Sequence, residues 1–270
     1  SSFFEFLGMM KPIKLRTRRE FSTLLLSIFS LFFCAASVAD HRTINVVTEY
    51  LEPYQIKADD GSLKGYCVDV VKALFDITHD HANIQVLPWA RAYEIAKNEP
   101  NVMIFSMART PQREQLFHWV GNLKKEQLYF WGLKDKFEGP IKSYQELQHF
   151  KVAASRYSNV AEFLENKDFS DIHHLIKEDQ NMLMLYRGRV DLIVATQLTL
   201  ETRAKKLGLN FARLVKLKEV PELNNDLSIA FNVHSSPELV QQYQSAFSKL
   251  ITSGKLEEIK QKWQIASVTQ

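Results

Sequence analysis

Cysteine is scarce, with two residues in 270, Cys34 and Cys67. That excludes a disulfide-dense scaffold and a four-thiolate metal site. The 9 glycines and 8 prolines form no tract, so no long flexible linker is present. No internal repeat, glycine-rich phosphate loop or serine nucleophile elbow can be found. His79 and His81 flank Asp80, and His173 adjoins His174. Neither pair has metal-ligand spacing backed by cysteines or by an i,i+4 partner, so both read as solvated loop residues. No metal and no cofactor are expected.

Excess charge is nearly absent as well. The formal net charge of +3 is local. Residues 1–39 hold Lys11, Lys14, Arg16, Arg18 and Arg19 against Glu5 and Glu20, which leaves 29 basic and 29 acidic residues in the rest. No basic stripe remains to neutralise phosphates, so nucleic acid is a poor partner.

What is present is ordinary globular composition, 46% hydrophobic and 24% charged, at a length that allows one large domain or two modest ones. The front end differs. Lys11 to Arg19 is a positive region, Phe21 to Phe33 is apolar, Ser37-Val38-Ala39 supplies small residues and Asp40 opens a polar stretch. This pattern predicts a secretory signal with an upstream extension, started at Met9 or Met10 and cleaved near Ala39/Asp40. An uncleaved anchor is the alternative, since the uncharged stretch from Phe21 to Ala39 is borderline for spanning. Cys34 invites lipid attachment, but the bulky Phe33 before it argues against that. The mature chain would work in an oxidising compartment, the periplasm. Its one thiol, Cys67, sits in an apolar helical pattern and is expected to be buried.

Beyond residue 40 the periodicity alternates. Strands are predicted at Ile44–Thr48, Ile84–Leu87, Val102–Phe105, Lys151–Ala154, Val190–Ala195 and Ser228–Phe231. Helices are predicted at Tyr66–Phe75, Ala90–Asn98, Asn159–Glu165, Asp179–Arg187, Pro237–Leu250 and Leu256–Trp263. Ser143 with Glu146 three residues on predicts a capped short helix. This is an α/β chain in two similar units, the second starting near residue 135, with no floppy tether between them.

Several stretches, in order, carry a resemblance. They are Glu52-Pro53-Tyr54 with Gly65-Tyr66-Cys67-Val68-Asp69-Val70-Val71; Arg109-Thr110-Pro111-Gln112-Arg113-Glu114 running to Trp119-Val120-Gly121; Val152-Ala153-Ala154-Ser155-Arg156-Tyr157-Ser158; Gly188-Arg189-Val190-Asp191; and Phe247-Ser248-Lys249-Leu250 through Gly254-Lys255-Leu256-Glu257-Glu258-Ile259 to Trp263. Together they resemble the type II periplasmic solute-binding proteins of the polar amino-acid uptake family, over nearly the whole mature chain. The resemblance implies a two-lobe α/β fold with a two-strand hinge and the ligand in the cleft. It sets the first lobe at 40–130 with 228–270 and the second at 131–227. The crossings are expected near Leu128–Leu133 and Asn224–Ala230.

The resemblance also implies roles. Arg113 stands at the family's carboxylate-clamping arginine, a role its planar fork suits. Ser106 and Thr110 would add donors, and Arg91 and Arg109 are further cationic candidates. Tyr54 matches the aromatic position that stacks over the ligand, and Trp131 lies in the expected hinge. Tyr157 and Ser158 match an element that offers backbone N–H groups at a helix start, with Tyr157 in place of the usual glycine. Thr196 stands where amino-acid binders usually carry an aspartate for the ligand ammonium. Either the ligand lacks an ammonium, or Glu49 or Glu52 takes over. The implied function is capture of a small polar, carboxylate-bearing solute for ABC-type uptake by a monomer, with an inner-membrane permease as partner. A ligand-sensing receptor module is one alternative. A cyclohexadienyl-dehydratase-like enzyme is another, with Glu49 as the acid/base candidate, but no convergent acid/base set accompanies it.

Overall fold

The computed structural model describes residues 41–265, so the signal segment read in residues 1–39 lies outside the described residues. The strands are β1 (Thr43–Thr48), β2 (Ile56–Lys57), β3 (Leu63–Lys64), β4 (His81–Val86), β5 (Met103–Ala108), β6 (Phe117–Lys125), β7 (Tyr129–Leu133), β8 (Val152–Ser155), β9 (Ile172–Leu175), β10 (Leu192–Ala195), β11 (Leu214–Glu219) and β12 (Asp226–Asn232). The helices are α1 (Tyr66–Thr78), α2 (Trp89–Asn98), α3 (Asn159–Asn166), α4 (Glu178–Tyr186), α5 (Gln197–Leu207), α6 (Pro237–Thr252) and α7 (Lys255–Lys262).

Two mixed five-stranded sheets organise the chain. The first has the order β4-β1-β5-β12-β6 and the second β11-β7-β10-β8-β9, while β2 and β3 form a small hairpin ladder. β1 runs parallel to β4 and β5, whereas β12 is antiparallel to β5 and β6. In the second sheet β8, β9 and β10 are parallel, and β7 is antiparallel to β10 and β11.

Strand alternation explains why both faces of each sheet are covered. Val46 packs into one apolar cluster with Phe105, Leu74 and Tyr243, while its neighbour Val47 packs into another with Trp89, Ile104 and Ala230. Phe130, Val152 and Leu192 face Phe163, whereas Trp131, Ala153 and Ile193 face Met182 and Leu200. Successive side chains point to opposite faces, so runs of apolar residues mark strands buried on both sides. The two sheets therefore form two lobes, each sheet flanked by its own helices.

The chain crosses between sheets twice, through 126–128 and 220–225. The crossings are tied together. Glu126 N–H donates to Asn225 O (3.1 Å), Val220 N–H to Leu128 O (2.9 Å) and Leu128 N–H to Asn224 Oδ1 (2.9 Å). The expected crossings, Leu128–Leu133 and Asn224–Ala230, run into β7 and β12.

Two local expectations need correction. Ser143 bonds Glu146 Oε1 through both N–H (3.0 Å) and Oγ (3.1 Å), yet only turns follow, because the capping pair has no apolar periodic run behind it. His173 and His174 lie on β9, the edge strand of the second sheet, rather than in a loop, and contact Asp171 (3.0 Å) and Glu165 (3.5 Å); His81 likewise opens β4, the edge strand of the first sheet.

Gly65, just before α1, has φ 138° and ψ 172°, a region essentially reserved for glycine. A Cβ there would stand 2.1 Å from the Tyr54 carbonyl oxygen. That same oxygen accepts the Cys67 N–H at 3.2 Å. Cys67 is fully buried, and burial pushes its thiol up to about 12.

Candidate functional site

A cavity of about 120 Å³ lies between the lobes, roughly ten times the room one water needs. The first lobe contributes Glu49, Trp89, Ser106 and Arg113 to its wall, and the crossings contribute Glu126 and Asn225. The second lobe contributes Ser155, Ser158, Asn181, Thr196, Thr199 and Arg203.

Glu49 follows the carboxyl end of β1. Ser106 reaches the cavity through a bulge. Ile229 pairs with Phe105 and Ser228 with Met107, which leaves Ser106 unpaired with φ 61°. Bulges re-aim a side chain in this way. Ser106 Oγ donates to Gln55 Oε1 (2.7 Å), and Gln55 Nε2 donates to Thr48 Oγ1 (2.8 Å) and Glu49 O (3.2 Å). The network fixes the end of β1 against β5.

Arg113 ends a 3₁₀ turn, Pro111–Arg113, and is 1% exposed. Its Nη1 donates to Ala108 O (3.1 Å), and its Nη2 donates across the cleft to Tyr157 O (3.1 Å) and Glu162 Oε1 (3.3 Å). The guanidinium lies over the rings of Tyr93 (5.0 Å) and Trp89 (5.6 Å). Trp89 Nε1 also donates to Tyr157 O (3.0 Å). One second-lobe carbonyl thus receives two first-lobe donors. Arg113 Nε has no partner among the described residues.

On the second-lobe wall, Ser158 caps α3 by accepting from Ala161 N–H (3.1 Å), and Thr196 caps α5 by accepting from Thr199 N–H (3.2 Å). Both helix starts therefore meet the cavity, where their dipoles favour negative charge. Arg203, on α5, is 2% exposed, with Nε 3.4 Å from Asp179 Oδ1. Lys206, one turn further on, bonds Asp179 Oδ2 (3.0 Å) and the buried Glu52 Oε1 (2.8 Å) of the first lobe.

Glu126 is buried at the crossing, 2.9 Å from Lys124 Nζ, and accepts from Tyr54 Oη at 3.4 Å. Burial outweighs the lysine and holds the carboxyl above the usual carboxylate range. The sign follows. A carboxyl raised in the folded state contributes most below its unfolded value, and that contribution is lost as pH rises through the folded one. Glu126→Gln is expected to flatten this part of the stability profile. Urea unfolding from about pH 4 upward, starting near the ordinary glutamate value, checks it; profiles of equal slope would refute it.

The structure thus brings Arg113, Glu49, Ser106, Ser158 and Thr196 to one cavity. Other expected residues lie elsewhere. Tyr54 is fully buried in the first-lobe core. Arg91 is exposed on α2. Arg109 pairs in two-pronged fashion with Glu114 (2.7 and 3.1 Å) beside Trp119, and Thr110 lies with it in a separate depression. The Tyr157 ring is exposed, and only its carbonyl serves the cleft. Trp131 is buried behind the wall, donating to Ala195 O at 3.0 Å. Sequence reasoning missed Arg203, Glu126, Asn181 and Trp89. Among the described residues no cluster of His, Cys, Asp and Glu is poised for a metal, and no helix is long and apolar enough to cross a membrane.

Two α/β lobes facing one cavity, lined by polar and apolar side chains and joined by a paired crossing, define the bilobed type II periplasmic-binding-protein fold. The chain belongs to the bacterial extracellular solute-binding proteins, family 3, matched over residues 44–266. A search of curated proteins finds no match. Solved structures agree in fold. A histidine kinase sensor domain similar to periplasmic binding proteins has TM-score 0.74 at 18% identity, covering 83% of this chain and 97% of that one. A mutant arginine-binding protein from T. maritima has TM-score 0.72 at 18% identity, covering 85% and 98%. A Salmonella typhimurium periplasmic binding protein of high arginine specificity has TM-score 0.70 at 16% identity, covering 82% and 99%.

Proposed function

We propose that the protein captures a small polar, carboxylate-bearing solute, an amino acid or a relative of one, in the inter-lobe cavity. It works in the periplasm after cleavage near Ala39/Asp40 and presents its cargo to an ABC-type permease. The observation that carries this reading is the cavity itself, walled by buried charged and hydroxyl groups from both lobes. Contacts from both sides reward closure, so a ligand selects the closed form. The arginine-binding proteins of like fold support an amino-acid-sized cargo. Residues 126–128 and 220–225 serve as the hinge.

The protein purified from the periplasm is to be screened by thermal shift against amino acids, di-acids, amines and short peptides. A true ligand raises the melting temperature, since it binds the native form alone. Arg113→Ala is expected to weaken every such response and His174→Ala to leave it intact; a wild type silent to the whole panel would count against the reading. Prephenate and arogenate are expected to pass unturned. A second reading, a sensor module for a signalling partner, is favoured by the likeness to a histidine kinase sensor domain. Solute uptake lost on deletion of the gene separates importer from sensor.

A further inference from the structure

We propose that Glu162 is a built-in competitor for the solute's carboxylate: it holds Arg113 from across the cleft, a carboxylate-bearing solute must displace it, and it thereby sets the affinity and selectivity of the site. This rests on the solute-capture reading above and deepens it.

Three observations carry it. The first is what Arg113 has left to offer. It stands in the cavity wall, with Nη1 on Ala108 O and Nη2 shared between Tyr157 O and Glu162 Oε1. Only Nε has no partner among the described residues. A two-pronged grip on a carboxylate takes two neighbouring N–H groups, so the second must come from Nη2, where Glu162 sits. The second is the inequality of the pair. The guanidinium is fixed over Tyr93 and Trp89, whereas the Glu162 side chain is 31% exposed and reaches in from outside the cavity wall. It can swing into water and leave the arginine in place. The third is the turn that puts Glu162 there. Tyr157 has φ 59°, in the left-handed region that residues with a Cβ seldom adopt. Its carbonyl takes both Arg113 Nη2 and Trp89 Nε1. That contact seats the start of α3 against Arg113, with Glu162 in the first turn of the helix. A contact made in the free protein and lost in the complex lowers apparent affinity, because only the unlatched fraction is ready to bind.

The test measures affinities by calorimetry for L-arginine and L-glutamine, each beside its α-amide, which has no carboxylate to compete with Glu162. Any other acid that the wider screen returns is paired with its own amide in the same way. Glu162→Gln should tighten the acids about three- to fivefold, the worth of a partly exposed ion pair, and leave the amides unchanged. Glu162→Asp keeps the charge on α3 but shortens its reach, and should raise the acid-over-amide ratio as well. Glu165→Gln removes a charge from the same helix, where its partner is His174, and should leave that ratio alone. Lys206→Ala releases the other tie between the lobes, to Glu52, and should shift acid and amide by one factor. An unchanged ratio in both Glu162 variants overturns the proposal. So does a Glu162→Gln that weakens acids and amides alike, which would make the residue part of the bound complex. A wild type that takes solutes from the screen but none with a carboxylate overturns it too and leaves capture standing. Silence to every solute removes both.

Discussion

Replacing Arg113 by alanine is expected to lower the melting temperature by several degrees and to open the free protein. The side chain is 1% exposed and makes contacts of two kinds. Within the first lobe it bonds Ala108 O and fills the space beside Trp89 and Tyr93. Across the cleft it holds Tyr157 O and Glu162. Removing one partner of a buried pair costs about 3 kcal/mol or more, chiefly because the other is stranded. Here the Glu162 side chain keeps 31% exposure, so water recovers part of that loss. Scattering in solution should report a larger radius of gyration for the variant without ligand. Lys206→Ala offers the contrast. Its amine also spans the lobes, reaching Glu52, but it is 46% exposed, so about 1 kcal/mol or less is at stake. An Arg113 variant with unchanged melting and unchanged radius would show that this contact closes nothing.

Gly65→Ala should be the more damaging change to the fold. The new methyl would meet the Tyr54 carbonyl at 2.1 Å, a backbone atom that cannot rotate away. The φ of 138° adds strain of roughly 1–3 kcal/mol for any residue with a Cβ. Relief requires moving the start of α1, which buries Tyr66, Cys67, Val70 and Leu74 against the sheet. A loss beyond about 4 kcal/mol is expected, seen as little soluble protein or as a large drop in the urea midpoint. Gly61→Ala is the control. Its Cβ would enter open space, so only the φ of 83° opposes it. Equal stability of the two variants would refute the steric account.

The fold was largely legible because its elements carry local signals. Pro237 behind Ser236 marks the start of α6, and the apolar face of Tyr66–Phe75 marks α1. Val102–Phe105, a continuous apolar run, and Val190–Ala195, apolar apart from Asp191, correspond to β5 and β10. β6, β9 and β11 escaped notice, since His118, Lys124, His173, Lys216 and Lys218 interrupt their apolar patterns. The site was legible only where a motif pointed to it. Arg113 and Ser158 were found through their neighbours in sequence. Arg203 sits in Thr-Arg-Ala-Lys-Lys and reads as one more basic residue on a helix surface. Its burial arises from the packing of α5 against the rest of the second lobe, which no short stretch encodes. Glu126 follows two lysines and looks like part of a charged turn. Tyr54 misled for the opposite reason. An aromatic at a resemblance-marked position suggested stacking, but the ring is packed into the core and only its hydroxyl reaches Glu126.

The order of strands in the first sheet bears on how the chain comes together as it emerges. β12 lies between β5 and β6, yet it follows every residue of the second sheet in sequence. Until Asp226–Asn232 is supplied, β5 and β6 have no neighbour to join them, and that half stays split down its middle. The second sheet draws all its strands from one unbroken stretch, 129–219, and has them in hand earlier. A nascent copy therefore holds one half complete in parts while the other waits, its edges unpaired, for the last strand to arrive.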